Sequence, residues 1–407
     1  MTFNVSNIRK DFPLIDSHCL KLIYLDNAAT TQKPLVVIDA LTEYYKNKNA
    51  NIHRGAYELS IHSTDLYENS RKVIRKFIGA HKDCEIIFTK NTTESINIVA
   101  YSFCETFLKM GGNIITTELE HHSNYLPWLA ACSRKSGELR LLPIADDGFF
   151  SMTLLERLID NKTALVAVTG ASNAIGLLPP LKDIIKIAHA HNVPVLVDGA
   201  QLIAHSFVDV SAIDCDFFTF SAHKIYGPTG IGVLYGKEAY LEKMHPYNYG
   251  GDMVDRIGET FGTTTWQNLP TKFEAGTQDV GAAVGLSTAL RYINVQGTTC
   301  LHAYEQTLTQ YTLKRLDSIK GITVIAKHSP RVPLISFISS IFSPYDISML
   351  LAAHGIASRC GELCAQPLMK KLGLKNGLIR ISIAFYNTKE EIDRFCDVLE
   401  QIQTSYL

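Results

Sequence analysis

The chain has 407 residues, 46% of them hydrophobic and 19% charged, with a net charge of −1 at neutral pH. That length predicts two domains with ample material for a core, and the balanced charge argues against nucleic acid or an anionic membrane surface as the main partner. No apolar run approaches the roughly 18 residues of a membrane span, residues 1–7 carry no basic or apolar signal region, and nine mostly scattered cysteines, among them Cys104, Cys215 and Cys396 in apolar company, point to reducing cytosol.

In chain order, Ser6 is placed to cap a short amphipathic helix carrying Ile8 and Phe12 and stopped by Pro13. Residues 22–25 read as a short strand, followed by the small polar loop Asp26-Asn27-Ala28-Ala29-Thr30-Thr31. Pro34 opens a helix with Val37, Leu41, Tyr44 and Tyr45 at helical spacing. A polar loop around 51–55 precedes a helix over 63–78. Residues 85–89 form a strand, Lys90 to Ser95 a Thr-rich turn, and 96–107 a helix. Strand, turn and helix in that order outline an anion site, since the first N–H groups of a helix are unpaired and its dipole favours negative charge. Thr92 and Thr93 would add hydroxyl donors; a threonine N-cap without a ligand gives similar geometry.

Residues 113–117 are a strand that ends at Glu118, Glu120, His121 and His122. Adjacent histidines on an extended chain face opposite ways, so they make a poor chelating pair. His189 and His191 stand at i and i+2 on a helix over 181–190, share no face and read as surface residues. A strand over 163–168 runs into Gly170-Ala171-Ser172-Asn173, and 193–197 is a strand ending on Asp198-Gly199-Ala200-Gln201. The next strand, 216–220, delivers Ser221, His223 and Lys224 into a Gly/Pro-rich turn before another apolar run, 232–236. Strands alternating with helices from 85 to 235 predict a mostly parallel sheet covered on both faces. Ligands collect at the carboxyl ends of such strands, which points Asp198 at one. The Rossmann dinucleotide fingerprint is missing after the first strand. A lysine at a strand end between apolar walls loses its proton more readily than one in water, so Lys224 is a candidate for covalent linkage to an aldehyde cofactor. The alternative is a solvent-facing turn lysine.

Helices over 280–319 lead to a region of mixed strands (322–326, 334–338, 377–383) and helices (343–354, 389–404), an α+β pattern. The loop Arg359-Cys360-Gly361-Glu362-Leu363-Cys364-Ala365-Gln366-Pro367 exposes Cys364 as a candidate nucleophile. Cys360 and Cys364 read alternatively as a disulfide or half a metal site, although no second cysteine pair completes a tetrahedral set. Arg380 is a charge within an apolar strand and demands a partner, either a structural carboxylate or a ligand.

Several of these stretches together resemble the class V aminotransferase fold, specifically cysteine desulfurases of the Suf/Csd-like group. They are Glu120-His121-His122-Ser123-Asn124, Val197-Asp198-Gly199-Ala200-Gln201, Ser221-Ala222-His223-Lys224-Ile225-Tyr226-Gly227-Pro228 and Cys364-Ala365-Gln366-Pro367. The resemblance runs from Tyr24 to Thr388. It implies an α/β protein of the type I pyridoxal phosphate fold. A large domain with a mostly parallel seven-stranded sheet would occupy 20–290. A smaller α+β domain, 1–19 and 291–407, would carry the cysteine loop. It also implies pyridoxal 5′-phosphate bound by Thr92, Thr93, His121, Asn173, Asp198, Gln201, Ser221, His223 and Lys224, with Thr277 reaching the phosphate of a second subunit. His121 would stack on the ring, Lys224 and Cys364 would act on substrate, and Ala28, Asn173, Arg359 and Arg380 would hold L-cysteine. No metal is implied. The partners would be a second copy of the chain and a SufE-like sulfur acceptor serving iron–sulfur cluster assembly, in the cytoplasm. Glu362 and Leu363 depart from the R-x-G-(H/Q)-H-C run usual in that group, Cys360 replaces Thr or Ala, and Ala222 replaces Gly. Selenocysteine lyase chemistry, another class V reaction, or a pyridoxal phosphate scaffold that only binds a sulfur-transfer partner remain the alternatives.

Overall fold

A computed structural model describes residues 4–16, 22–145 and 148–404. Seven strands form the principal sheet: β1 (Ile86–Thr89), β2 (Asn113–Thr117), β3 (Glu138–Leu142), β4 (Thr163–Thr169), β5 (Val195–Asp198), β6 (Phe217–Ser221) and β7 (Gly232–Gly236), in the order β1-β7-β6-β5-β4-β2-β3. Adjacent pairs from β6 through β3 are parallel, and β7 runs antiparallel to both β6 and β1. β1, β2, β5, β6 and β7 are buried at every position, as expected of strands covered on both faces. Because side chains alternate across a strand, each run divides between two cores. Leu165, Ala167, Leu196, Phe217 and Leu234 join Trp128 and Phe103 on one side. Val166, Val168, Val195, Val197, Phe218 and Phe220 face the other, which includes the helices Leu35–Asn47, Glu58–Phe77 and Val280–Gln296.

Further along, β8 (Ile322–Val324), β9 (Leu334–Ser339), β10 (Arg359–Gly361) and β11 (Leu378–Ser382) make an antiparallel sheet in the order β8-β9-β11-β10. Its own core joins Ile335, Phe337, Ile379 and Ile381 to Phe395 and Leu399 of the helix Lys389–Thr404 and Leu316 of Thr298–Asp317. The chain start crosses to this region. Ile23–Tyr24 pairs with Ile356–Ala357, and Asp26 bridges to Ser382. The loop 26–31 is thereby carried between the two sheets.

Several expected details change. The first helix is Val5–Arg9, capped by Asn4 rather than Ser6, and it stops before Phe12. The helix expected from residue 63 starts at Glu58. Thr92 is the first helical residue and not the cap; Asn91 accepts the N–H of Glu94 at 2.9 Å. The 92–107 helix loosens into a π-turn at Val99–Phe103. His189 is half-buried, bonded at 2.8 Å to Asp216 and lying 3.3 Å from Asp214, so it is a charge-cluster residue and not a bare surface one. The edge strand β3, and the helices Leu126–Arg134 and Met152–Leu158, are not among the expected elements.

Candidate active site

Five strands of the principal sheet end at one place. From these ends come Asn91, Thr92 and Thr93 (β1), His121 and Ser123 (β2), Thr169, Ala171 and Asn173 (β4), Asp198, Ala200 and Gln201 (β5), and Ser221, His223 and Lys224 (β6). With Ala28, Ala29, Arg359, Cys360, Leu363, Cys364 and Arg380 they line a cavity of about 600 Å³. The register sets the spacing: Thr169 is opposite Asp198, and Asp198 opposite Thr219. Gly199 is required where it stands, since a Cβ there would lie 2.0 Å from the Phe218 ring.

At one end of the cavity the Thr92 N–H donates to Ser221 Oγ at 2.8 Å, and the two hydroxyls lie 2.8 Å apart. Thr93 Oγ1 is 2.7 Å from Ser123 Oγ. His223 is fixed through its carbonyl, which accepts from the Thr31 N–H at 3.0 Å and Lys33 Nζ at 3.0 Å. Lys33, unremarked in the sequence, is itself lowered to about 8 by burial.

The centre is built on Lys224 and Asp198. Lys224 is partly accessible, because its side chain faces the cavity, yet the surrounding protein strips water from its amine. Burial lowers it to about 8, against the pull of Asp198 and with help from the Arg380 charge. Asp198 is buried, its Oδ1 accepting the Ala200 N–H at 2.9 Å; desolvation raises its pKa, opposed by that N–H and by Lys224. Burial and then the Lys224 charge lower His121 to about 4, and burial lowers His223 to about 4 as well. Both imidazoles are therefore neutral at pH 7. His121 Nδ1 accepts the Ser123 N–H at 3.0 Å, which fixes its tautomer. Gln201 reaches across to the Ala28 carbonyl at 2.8 Å, and the Ala28 N–H donates to Ser382 Oγ at 2.8 Å.

The other wall comes from the antiparallel sheet. Arg380 is buried; it donates to the Asn173 carbonyl at 2.7 Å and to Asp26 at 3.2 Å. Arg359 grips the same carboxylate, at 2.7 Å through one terminal nitrogen. Asp26 thus holds two arginines, a role the sequence did not signal because its partners are more than 300 residues away. Cys364 is exposed, on a turn closed by the Ala365 N–H to the Glu362 carbonyl at 3.0 Å. Leu363 and Cys364 both have left-handed backbone, φ 53° and 54°. The turn is tied down by the His122 N–H on the Cys364 carbonyl at 2.7 Å, and by Asn173 Nδ2 on the Leu363 carbonyl at 2.6 Å. Cys360 and Cys364 are both unpaired thiols, so the disulfide alternative is set aside. Cys360 is in register with Ile379, one residue out of phase with Arg359 and Arg380.

Every residue expected at the site meets in this cavity except Thr277. It is exposed and lines a separate hollow with Lys90, Glu94 and Gly230. Sequence reasoning missed Asp26, Lys33 and the role of Glu120, a fully buried carboxylate beneath the cavity floor.

The aminotransferase class-V family profile matches residues 23–395. A cysteine desulfurase of Escherichia coli O157:H7 is 44% identical over 404 residues, covering 99% of each chain. One from Synechococcus elongatus is 42% identical over all 407 residues, which span 64% of that longer relative. Among solved structures, the cysteine desulfurase CsdA (S-sulfonic acid) from Escherichia coli superposes with a TM-score of 0.90 at 35% identity, and an apo cysteine desulfurase from Thermococcus onnurineus with 0.92 at 36%, each covering 99% of both chains. A fold-type I sheet with these strand-end residues, a profile match over most of the length and relatives above 40% identity lead to one conclusion: the chain belongs to the class-V aminotransferase family.

Proposed function

We propose that the chain is a pyridoxal 5′-phosphate-dependent cysteine desulfurase, which converts L-cysteine to L-alanine and leaves a persulfide on Cys364. The observation that carries this reading is the convergence on one cavity of a desolvated lysine, a buried acid and an exposed thiol: Lys224, Asp198 and Cys364. The cavity fits the cofactor. Asn173 Oδ1 and Arg380 Nε are buried on its wall without a hydrogen-bond partner, and a lowered lysine stands ready for an aldehyde. Lys224 would hold the aldehyde carbon, Asp198 the ring nitrogen and His121 one ring face. Asn173 and Gln201 would serve the ring oxygen side, and Thr92, Thr93, Ser221 and His223 the phosphate. Bound there, the group supplies an electron sink for the substrate α-carbon.

The protein's own residues supply the rest. Arg380 Nε and Arg359 receive the substrate carboxylate beside Ala28 and Asn173. Lys224 would move the α-proton. The Cys364 thiolate, with Arg359 and Arg380 within electrostatic reach, attacks the substrate sulfur. One C–S bond breaks and one S–S bond forms; alanine leaves after taking up protons. We infer further that the persulfide passes to a SufE-like acceptor for iron–sulfur cluster assembly, a reading supported by the exposure of Cys364 on its turn. The enzyme would be a homodimer of two-domain chains (20–290, and 1–19 with 291–407). It would work in the cytoplasm, where its unpaired cysteines stay reduced.

Lys224→Ala should lose both the bound yellow chromophore and alanine production; alanine formation at the wild-type rate would sink the assignment. Cys364→Ser should keep the chromophore and lose desulfuration of cysteine. Selenocysteine lyase chemistry would instead survive in that variant, since a selenol leaves without a thiol acceptor.

A further inference from the structure

Glu120 has no place in the chemistry above, yet its carboxylate is completely buried and accepts three hydrogen bonds. Thr117 Oγ1 donates at 2.6 Å, Asn124 Nδ2 at 2.5 Å and the Thr169 N–H at 3.0 Å. Those donors belong to three different pieces of the site. Thr117 is the last residue of β2, and Thr169 the last of β4, in register with Asp198. Asn124 closes the short 3-10 turn His122–Asn124, and its Oδ1 accepts the Trp128 indole N–H at 2.9 Å. His121 stands between the carboxylate and that turn, with its carbonyl accepting the Asn124 N–H at 2.8 Å.

We propose that Glu120 is a positioning residue: its carboxylate clamps the ends of β2 and β4 to the 122–124 turn, and so fixes the His121 ring over the cavity at a set distance from Asp198. The inference rests on the proposed role of His121. The Thr169 N–H and Asn124 Nδ2 can only donate, one to each oxygen, while the Thr117 hydroxyl, which itself accepts the Leu119 N–H at 3.1 Å, can donate or accept; a carboxyl group suits all three and an amide of the same length does not. In a glutamine, one oxygen becomes an NH₂. If the amide oxygen stays with Thr117 and Thr169, the NH₂ confronts Asn124 Nδ2. Turning Asn124 around then sets its own NH₂ against the Trp128 N–H. If the amide is turned instead, its NH₂ confronts the Thr169 N–H, which no rotation can move. Burial pushes the Glu120 pKa up to about 8, while the three donors pull the other way. A proton on the oxygen nearer Thr117 would be received by that hydroxyl, so the clamp holds whether or not the acid is ionised.

The test is a double-mutant cycle on cofactor affinity, measured by titrating pyridoxal phosphate into the cofactor-free protein and following the visible circular dichroism of the bound form. Glu120→Gln should weaken binding about tenfold and alter that band, and His121→Ala should do likewise. In the His121→Ala background, Glu120→Gln should add less than about twofold, since coupled residues are not additive. Independent, multiplying effects would overturn the proposal, and so would an unchanged Glu120→Gln. Thr117→Val, which removes one donor and leaves the carboxylate, gives a second route should the glutamine variant not fold. It should shift the band in the same direction, and an unshifted band counts against the clamp. A wild-type protein that bound no cofactor would instead defeat the functional reading itself.

Discussion

Lys224, His121 and His223 share one cause for their altered acidity: each is an ionisable group brought into a cavity walled by strands that exclude water. For the two histidines this has a measurable consequence. Their folded values, about 4, lie below the ordinary 6.5, so between those pH values the unfolded chain binds more protons than the folded one. Their contribution to stability is whole above pH 6.5 and is lost as pH falls towards 4. In denaturant titrations of the cofactor-free protein, the wild type should lose more stability between pH 6.5 and 4 than a His121→Gln/His223→Gln variant. Equal losses would mean that the imidazoles are not desolvated. At this scale the sequence was a good guide to Lys224, Asp198 and Arg380, because a charged residue at the end of or inside an apolar run stands out. Asp26 did not stand out: it lies in a small polar loop that looks like any turn.

Among the elements, the turn that carries Cys364 and the helix Glu58–Phe77 show how local pieces are held by distant ones. Consecutive left-handed residues at Leu363 and Cys364 cost about 1–3 kcal/mol each. That conformation persists because Leu363 is buried and its carbonyl is held by Asn173. The family's usual residue before the cysteine is replaced here by one whose side chain packs inward, so the turn is anchored through its backbone and Leu363. The helix carries Arg71, 1% exposed, whose guanidinium grips both oxygens of Glu274 at 2.8 and 2.9 Å and donates to the Ile86 carbonyl at 2.7 Å. Glu274 also accepts the Phe88 N–H at 2.7 Å and the Tyr67 hydroxyl at 2.9 Å. One ion pair thus joins a helix, β1 and the loop that leads to Thr277. Arg71→Met should cost about 3–5 kcal/mol in denaturant unfolding, because it strands a buried carboxylate. A loss below about 1 kcal/mol would show that water reaches Glu274.

At the scale of the whole molecule, Thr277 is the residue that one chain does not bring to its own cavity. The proposed homodimer would give it a purpose, on the phosphate of the neighbouring site. Two experiments bear on this. The protein should sediment at twice its chain mass. Mixing Lys224→Ala chains with Thr277→Ala chains should also restore cofactor affinity at one site per mixed dimer, the site that pairs an intact lysine with an intact threonine. A protein that sediments as a monomer, or a mixture no better than the Thr277→Ala protein alone, would contradict the arrangement. No helix among the described residues is long and apolar enough to cross a membrane.

The sequence by itself determined six of the seven strands from β1 to β7, all but the edge strand β3, and the chemical residues at their carboxyl ends. Both follow from short-range pattern: a buried parallel strand must be apolar throughout, so an Asp, a Ser-x-His-Lys or an Asn-Thr-Thr that ends one is conspicuous. Only the tertiary structure decided which carboxylate Arg380 and Arg359 share, how the Cys364 turn is pinned against His122 and Asn173, and that Glu120 ties two strand ends together. Those pairings join residues up to several hundred positions apart. Their geometry comes from the register of one sheet and the docking of a second against the loop beyond its central strand ends, which no local spacing encodes.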